Sequence, residues 1–280
     1  MTVKGLSQPA APTLPAPSGR AVRTSFADTL HSEWVKLRTV RSTYWSLLAA
    51  ALLIVGIGML FAVVYRGQYH SLSASSKATF DPTEITLSGV WFGQLAIGVL
   101  AILTITGEYS TGTIRPSLAA VPHRSRMLAA KILVFTAVTV VIGAAASFAA
   151  FFAGQPILAG RAPHAVLGDP GVLRAVIGGG LYLGALGIFS LAIGVLIRHT
   201  AGAITVLVAI ALVIPTVMDT LPSSVQHTIL RVLPTNAGTM VWNVRHVPDM
   251  FSAWPGFAVF LGYCAVLLAW GFAVFTRRDT

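Results

Sequence analysis

Charge is what this chain of 280 residues has least of: Asp, Glu, Lys and Arg together make up 10%, against about 25% in a soluble domain. So little charge cannot cover a water-facing surface. With 55% hydrophobic residues and a mean hydropathy of +0.77, the chain reads as an integral membrane protein. Cysteine is nearly missing too. The single Cys264 lies in an apolar run, which excludes a disulfide framework or a cysteine-based metal site and fits a small buried hydrophobe. Acidic residues number nine against nineteen Lys and Arg. The resulting charge of +10 does not point to nucleic acid, because the basic residues flank apolar runs and face lipid headgroups instead of lining a polar surface.

Catalytic signatures are equally scarce. His31, His70, His123, His164, His199, His227 and His246 stand singly outside the apolar runs, with no partner at ligand spacing and no HExxH. This pattern predicts no metal site. The runs contain Ser147 and Ser190 but no His or Asp to activate them. No GxxxxGK[ST] phosphate loop is present, so ATP hydrolysis is not expected of this chain. No chain of intramembrane carboxylates is present either, which disfavours a proton-coupled carrier. The composition points away from an enzyme.

What is abundant is apolar length. Six runs lie near Trp45–Tyr65, Ser88–Thr106, Ala129–Ala153, Ala175–Ile197, Thr200–Met218 and Phe257–Phe275. Each reaches the roughly 20 residues a crossing helix needs. Backbone groups in hydrocarbon must be satisfied within their own segment, so the expected fold is all-α with six transmembrane helices over residues 45–275. Residues 1–24, with Pro9, Pro12, Pro15 and Pro17, read as a disordered cytoplasmic tail and lack the apolar core of a signal peptide. Ser25–Arg41 reads as an amphipathic helix in the membrane interface, capped by Ser25, with an apolar stripe of Phe26, Leu30, Trp34 and Leu37. With the N-terminus inside, 13 of the 19 basic residues face the cytoplasm. That asymmetry predicts both termini, including residues 276–280, on the cytoplasmic side of the cell membrane.

Within the runs, Gly180, Gly184, Gly187 and Gly194 recur on the fourth, and Gly143, Ala146, Ser147 and Ala150 on the third. Such small-residue faces serve close packing within one bundle or a seam between two copies. Gln94 in the second run needs a hydrogen-bond partner and is expected to face the bundle or a substrate path. Pro215 predicts a kink in the fifth run. Asp219–Gly256 is too apolar to be disordered. Its Val225, Ile229, Val232 and Leu233 suggest a short helix on or dipping into the outer leaflet.

The most charged part of the apolar region is Gly107–Lys131, GEYSTGTIRPSLAAVPHRSRMLAAK, between the second and third runs. A short basic loop there is where a cytoplasmic partner can push on the bundle. Glu108 sits at a helix C-terminus, where an acid is unfavourable unless paired. Arg38, Arg41 and Arg115 are its candidate partners.

Together with SEWVKLRTVRSTYW before the first run, this loop resembles the membrane subunits of ABC-2-type exporters, most of all actinobacterial permeases encoded apart from their ATPase. The likeness covers about residues 26–278. It implies a permease that forms the transmembrane pathway as a homodimer and works with a separate ATP-binding-cassette ATPase. The chain itself would hold no cofactor, since ATP is bound by that partner subunit. The likeness also implies a connecting helix carrying Glu33, Trp34, Lys36 and Arg38. Coupling to the ATPase would fall to Glu108, Tyr109, Gly112, Thr113 and Arg115. The cargo stays open. The alternative from another class is a non-transporting membrane anchor that recruits a soluble cytoplasmic protein.

Overall fold

The computed structural model describes residues 25–112, 124–218, 220, 229–246 and 249–277. No strand occurs among them, and six helices are long and apolar enough to cross a membrane. Helix α1 (Phe26–Thr39) is followed by α2 (Arg41–Gln68), two short helices α3 (Ala74–Ala78) and α4 (Pro82–Leu87), then α5 (Val90–Ser110), α6 (Arg124–Leu158) and α7 (Val172–Ile197). The chain closes with α8 (Thr200–Met218), a one-and-a-half-turn α9 (Pro234–Thr239) and α10 (Ala253–Arg277). Most spans extend past the apolar windows of the sequence, because hydropathy marks only the part in hydrocarbon while the hydrogen-bonded helix continues into the interface.

Helix α7 is the centre of the bundle, packed against α5, α6, α8 and α10. Its glycines make this possible. A Cβ at Gly180 would lie 2.5 Å from the backbone nitrogen of Ala144, and one at Gly184 would lie 2.3 Å from the Val140 side chain. The small faces of the third and fourth spans therefore meet within one subunit. Between α5 and α7 the buried Tyr182 hydroxyl donates to Gln94 Oε1.

The apolar stripe expected on α1 is divided, with Leu37 packed partly buried against the core. Phe26 and Trp34 are exposed, and the residues turned into the protein are Thr29 and Glu33. Ser25 caps the helix in a reciprocal pair with Asp28.

Pro215 acts one turn earlier than a simple kink. The helix widens to a π turn over Ala209–Val213, with the Ile214 N–H bonded to the Ala209 carbonyl. Continued by one residue, that spacing would give Ile210's carbonyl to residue 215, which as proline has no N–H. The buried Thr235 hydroxyl donates to it instead, at 3.3 Å. Thr235 belongs to a segment that enters the bundle, where Ala237, Val241 and Trp242 are buried against α7 and α10. The Arg174 guanidinium pins it there by donating to the Val241 and Asn243 carbonyls at 2.9 Å each. Within Asp219–Gly256 the deep stretch is thus 234–242, downstream of the apolar face expected from the sequence, whose Val225 lies outside the described residues.

Candidate functional site

Four charged side chains meet where α1, the end of α5 and the start of α6 converge. Lys131 on α6 is the hub: its Nζ donates to Glu33 Oε2 at 2.7 Å and to Glu108 Oε1 at 2.8 Å. Lys36 donates to Glu33 Oε1 at 2.7 Å and reaches Glu108 Oε1 at 3.4 Å. Glu33 and Lys131 are only 3% and 5% exposed, so both have left water almost completely. Two cations and two anions cancel, which is what allows the burial. Burial alone would raise the Glu33 carboxyl, but Lys131 and Lys36 outweigh it and hold the group below its ordinary 4.5. Burial likewise pulls Lys36 down, and Glu33 followed by Glu108 outweighs it, leaving the amine above 10.5. For Glu108, the two lysines relieve the clash with the negative end of α5.

The next residue, Tyr109, carries the connection further. The Arg198 guanidinium lies 5.2 Å from the centre of its ring. Arg198 adopts the left-handed conformation (φ 59°) that ends α7 and starts the turn into α8. Two residues before Glu108, Thr106 accepts a hydrogen bond from Thr200 at the first turn of α8, at 2.9 Å. The last turn of α5 thus engages α1, α6, α7 and α8 within four consecutive residues. Gly112 closes the helix with φ +69°, a conformation that L side chains rarely adopt.

A family model described as ABC-2 family transporter protein matches residues 29–217. The chain belongs to that family. The family consists of transporter membrane components, and its permeases work with ATP-binding-cassette ATPase partners. No curated protein gives a significant match. The matched span takes in the whole charge cluster and its links to α7 and α8.

In this ABC-2 family protein, the cluster corrects one expectation. The partners of Glu108 are Lys36 and Lys131, not Arg38 or Arg41. The compact ammonium of Lys131 bridges two carboxylates from a helix that already points at them. Arg38 is exposed and borders, with Trp34, Tyr44 and Leu47, an apolar groove of about 400 Å³ between α1 and α2. Thr113 and Arg115 lie outside the described residues. Glu33, Lys36, Glu108 and Tyr109 are brought together, whereas Gln94, Gly180 and Gly184 belong to the bundle interior.

Sequence reasoning missed Lys131 by counting it among loop charges. The signal was present: a lysine inside an apolar helical run needs an acid, and Glu33 and Glu108 were the acids nearest that end. It missed the Tyr109–Arg198 contact because an aromatic ring and a turn arginine 89 positions apart leave no trace in spacing.

Proposed function

We propose that this chain is the membrane subunit of an ATP-driven exporter, and that the last turn of α5 passes the movement of a separate ATPase to the bundle. The observation that carries the reading is that residues 106–109 engage four other helices at once, and the chain leads from there directly into residues 113–123. A push on that segment reaches Glu108 and Tyr109 first. From there it passes through Lys131 to α6 and Glu33, and through Arg198 to the α7–α8 turn. The chain has no phosphate-binding loop, so the nucleotide belongs to the partner.

The basic-residue asymmetry supports a cytoplasmic location for this end and for both termini, in the cell membrane, with residues 1–24 as a tail. The exposed Phe26 and Trp34 of α1 fit a helix lying in the interface against lipid. The glycine face of α7 is used up inside the subunit. A homodimer would therefore form through the sparsely covered faces of spans such as α8, most of whose residues are not buried within the subunit.

The test is copurification in mild detergent, comparing wild type with Arg115→Glu and Glu108→Gln. An ATPase recovered with wild type and lost with Arg115→Glu supports docking on the 113–123 segment. Glu108→Gln is expected to keep the ATPase bound while permease-dependent stimulation of its turnover falls about tenfold or more. Recovery of only a non-ATPase protein would favour the anchor reading, and unchanged stimulation in Glu108→Gln would remove Glu108 from the coupling.

A further inference from the structure

At the end of the bundle away from the charge cluster, the end of α2 and the short helices α3 and α4 enclose a cavity of about 350 Å³. That volume lies in the range of small-molecule sites. One wall is aromatic: Phe61, Tyr65 and Phe80 line it. Phe80 is fixed edge-on between Tyr65 at 6.1 Å and Tyr69 at 5.0 Å, and is only 7% exposed. The opposite wall supplies Asp81, Glu84 and Ser88.

Asp81 is 6% exposed. Its Oδ1 caps α4 by accepting from the N–H groups of Thr83 and Glu84, at 2.9 and 3.2 Å. Its Oδ2 is buried and has no hydrogen-bond partner among the described residues, and neither has the Ser88 hydroxyl. Glu84 stands exposed beside it. Of the basic side chains of this region, Arg245 lies near enough to attract the Glu84 carboxylate, but its hydrogen bond goes elsewhere. Arg245 donates to the Ala78 carbonyl and Lys77 to the His70 carbonyl, and neither forms an ion pair with Asp81 or Glu84. A buried carboxylate oxygen without a donor is costly, and in this cavity a ligand cation would relieve it.

We propose that this cavity binds a hydrophobic organic cation, an ammonium carrying alkyl or aryl groups, with the charge between Asp81 and Glu84 and the apolar part against Phe61, Tyr65 and Phe80. Aromatic faces attract a weakly hydrated cation, and carboxylates fix its position. A divalent metal would instead ask for six or more oxygen ligands, which a half-aromatic wall does not supply. The site does not depend on the coupling reading, since binding requires no ATPase and no nucleotide.

The test uses the full-length protein in phosphatidylcholine nanodiscs and equilibrium dialysis of radiolabelled benzyltrimethylammonium, with empty discs subtracted. Competitors are neopentylbenzene, which has the same shape with carbon in place of the charged nitrogen, and Mg²⁺. Saturable binding is expected, displaced by neither competitor at equal concentration. It should weaken about tenfold in Glu84→Gln and in Asp81→Asn, the latter chosen because asparagine keeps the helix cap. Glu84 is exposed, so its variant keeps the test valid if Asp81→Asn folds poorly. Unchanged affinity in Glu84→Gln, equal displacement by the neutral compound, or displacement by Mg²⁺ would each overturn the proposal.

Discussion

Glu33 and Glu108 at one end of the bundle, and Asp81 and Glu84 at the other, are four of the nine acidic residues of this chain, and their surroundings differ in kind. The first pair is closed off by Lys36 and Lys131, which connect three helices through ion pairs of 2.7 to 3.4 Å. The second pair caps and borders a cavity and forms no salt bridge among the described residues, with Arg245 acting on Glu84 only from a distance. A compensated cluster joins elements so that they move together. A pair without a salt bridge beside aromatic rings leaves much of its attraction available to something that arrives from outside. The same side-chain chemistry serves cohesion at one end and recognition at the other.

The contrast breaks most visibly at Lys131. Lys131→Met is expected to destabilise the protein by about 3–5 kcal/mol, because two carboxylates then share only the half-exposed Lys36. Thermal unfolding in detergent checks this, and a melting temperature equal to wild type would mean that the cluster holds nothing together. Glu33→Gln keeps the shape and removes one charge, so a smaller loss of about 1–3 kcal/mol is expected.

Acid sharpens the comparison further. The Glu33 carboxyl is depressed in the folded protein, so its contribution is present above its ordinary 4.5 and fades as pH falls through the lower folded value. Lys36 is shifted the other way, and its contribution is lost only as pH rises beyond 10.5. The melting temperature should therefore hold steady from neutral pH down to about 4.5 and drop below it, with Glu33→Gln removing most of the drop. The smallest effect belongs to the other end. Asp81→Asn keeps the cap and should change stability by no more than about 0.5 kcal/mol, so that a loss comparable to Lys131→Met would erase the distinction.

Much of this architecture was legible in the sequence because hydrocarbon leaves few options. Long uncharged runs have to be helices, and Thr200–Met218 and Ala175–Ile197 could be placed nearly to the residue. Glu108 was legible as an acid needing a cation, because helix polarity disfavours it where it stands. Its partner was not, since choosing Lys131 over Arg38 requires knowing how α1 turns about its own axis. Hydropathy also fails to rank enclosure. The cores of α7 and α8 are almost equally apolar, yet 78% of one and 17% of the other is buried. The difference lies in glycines such as Gly180, which let α6 come close.

The wide turn in α8 has a consequence for register. The buried residues of this helix, Ala203, Leu207 and Ala211, recur every fourth position, a spacing that would drift by about 40° per step around a regular helix. The wide turn winds more slowly and takes up part of that drift between Leu207 and Ala211, whereas the step from Ala203 to Leu207 lies in regular helix. Deleting one residue between Ala209 and Val213 would let the helix return to regular winding with Ile214–Met218 facing nearly the same way, because the wide turn is what accommodates an extra residue. The same deletion in the regular half, Thr200–Val208, would instead rotate everything beyond it by about 100° and show its neighbours a different set of side chains. A one-residue change of length is thus absorbed at the wide turn and felt along the helix anywhere before it.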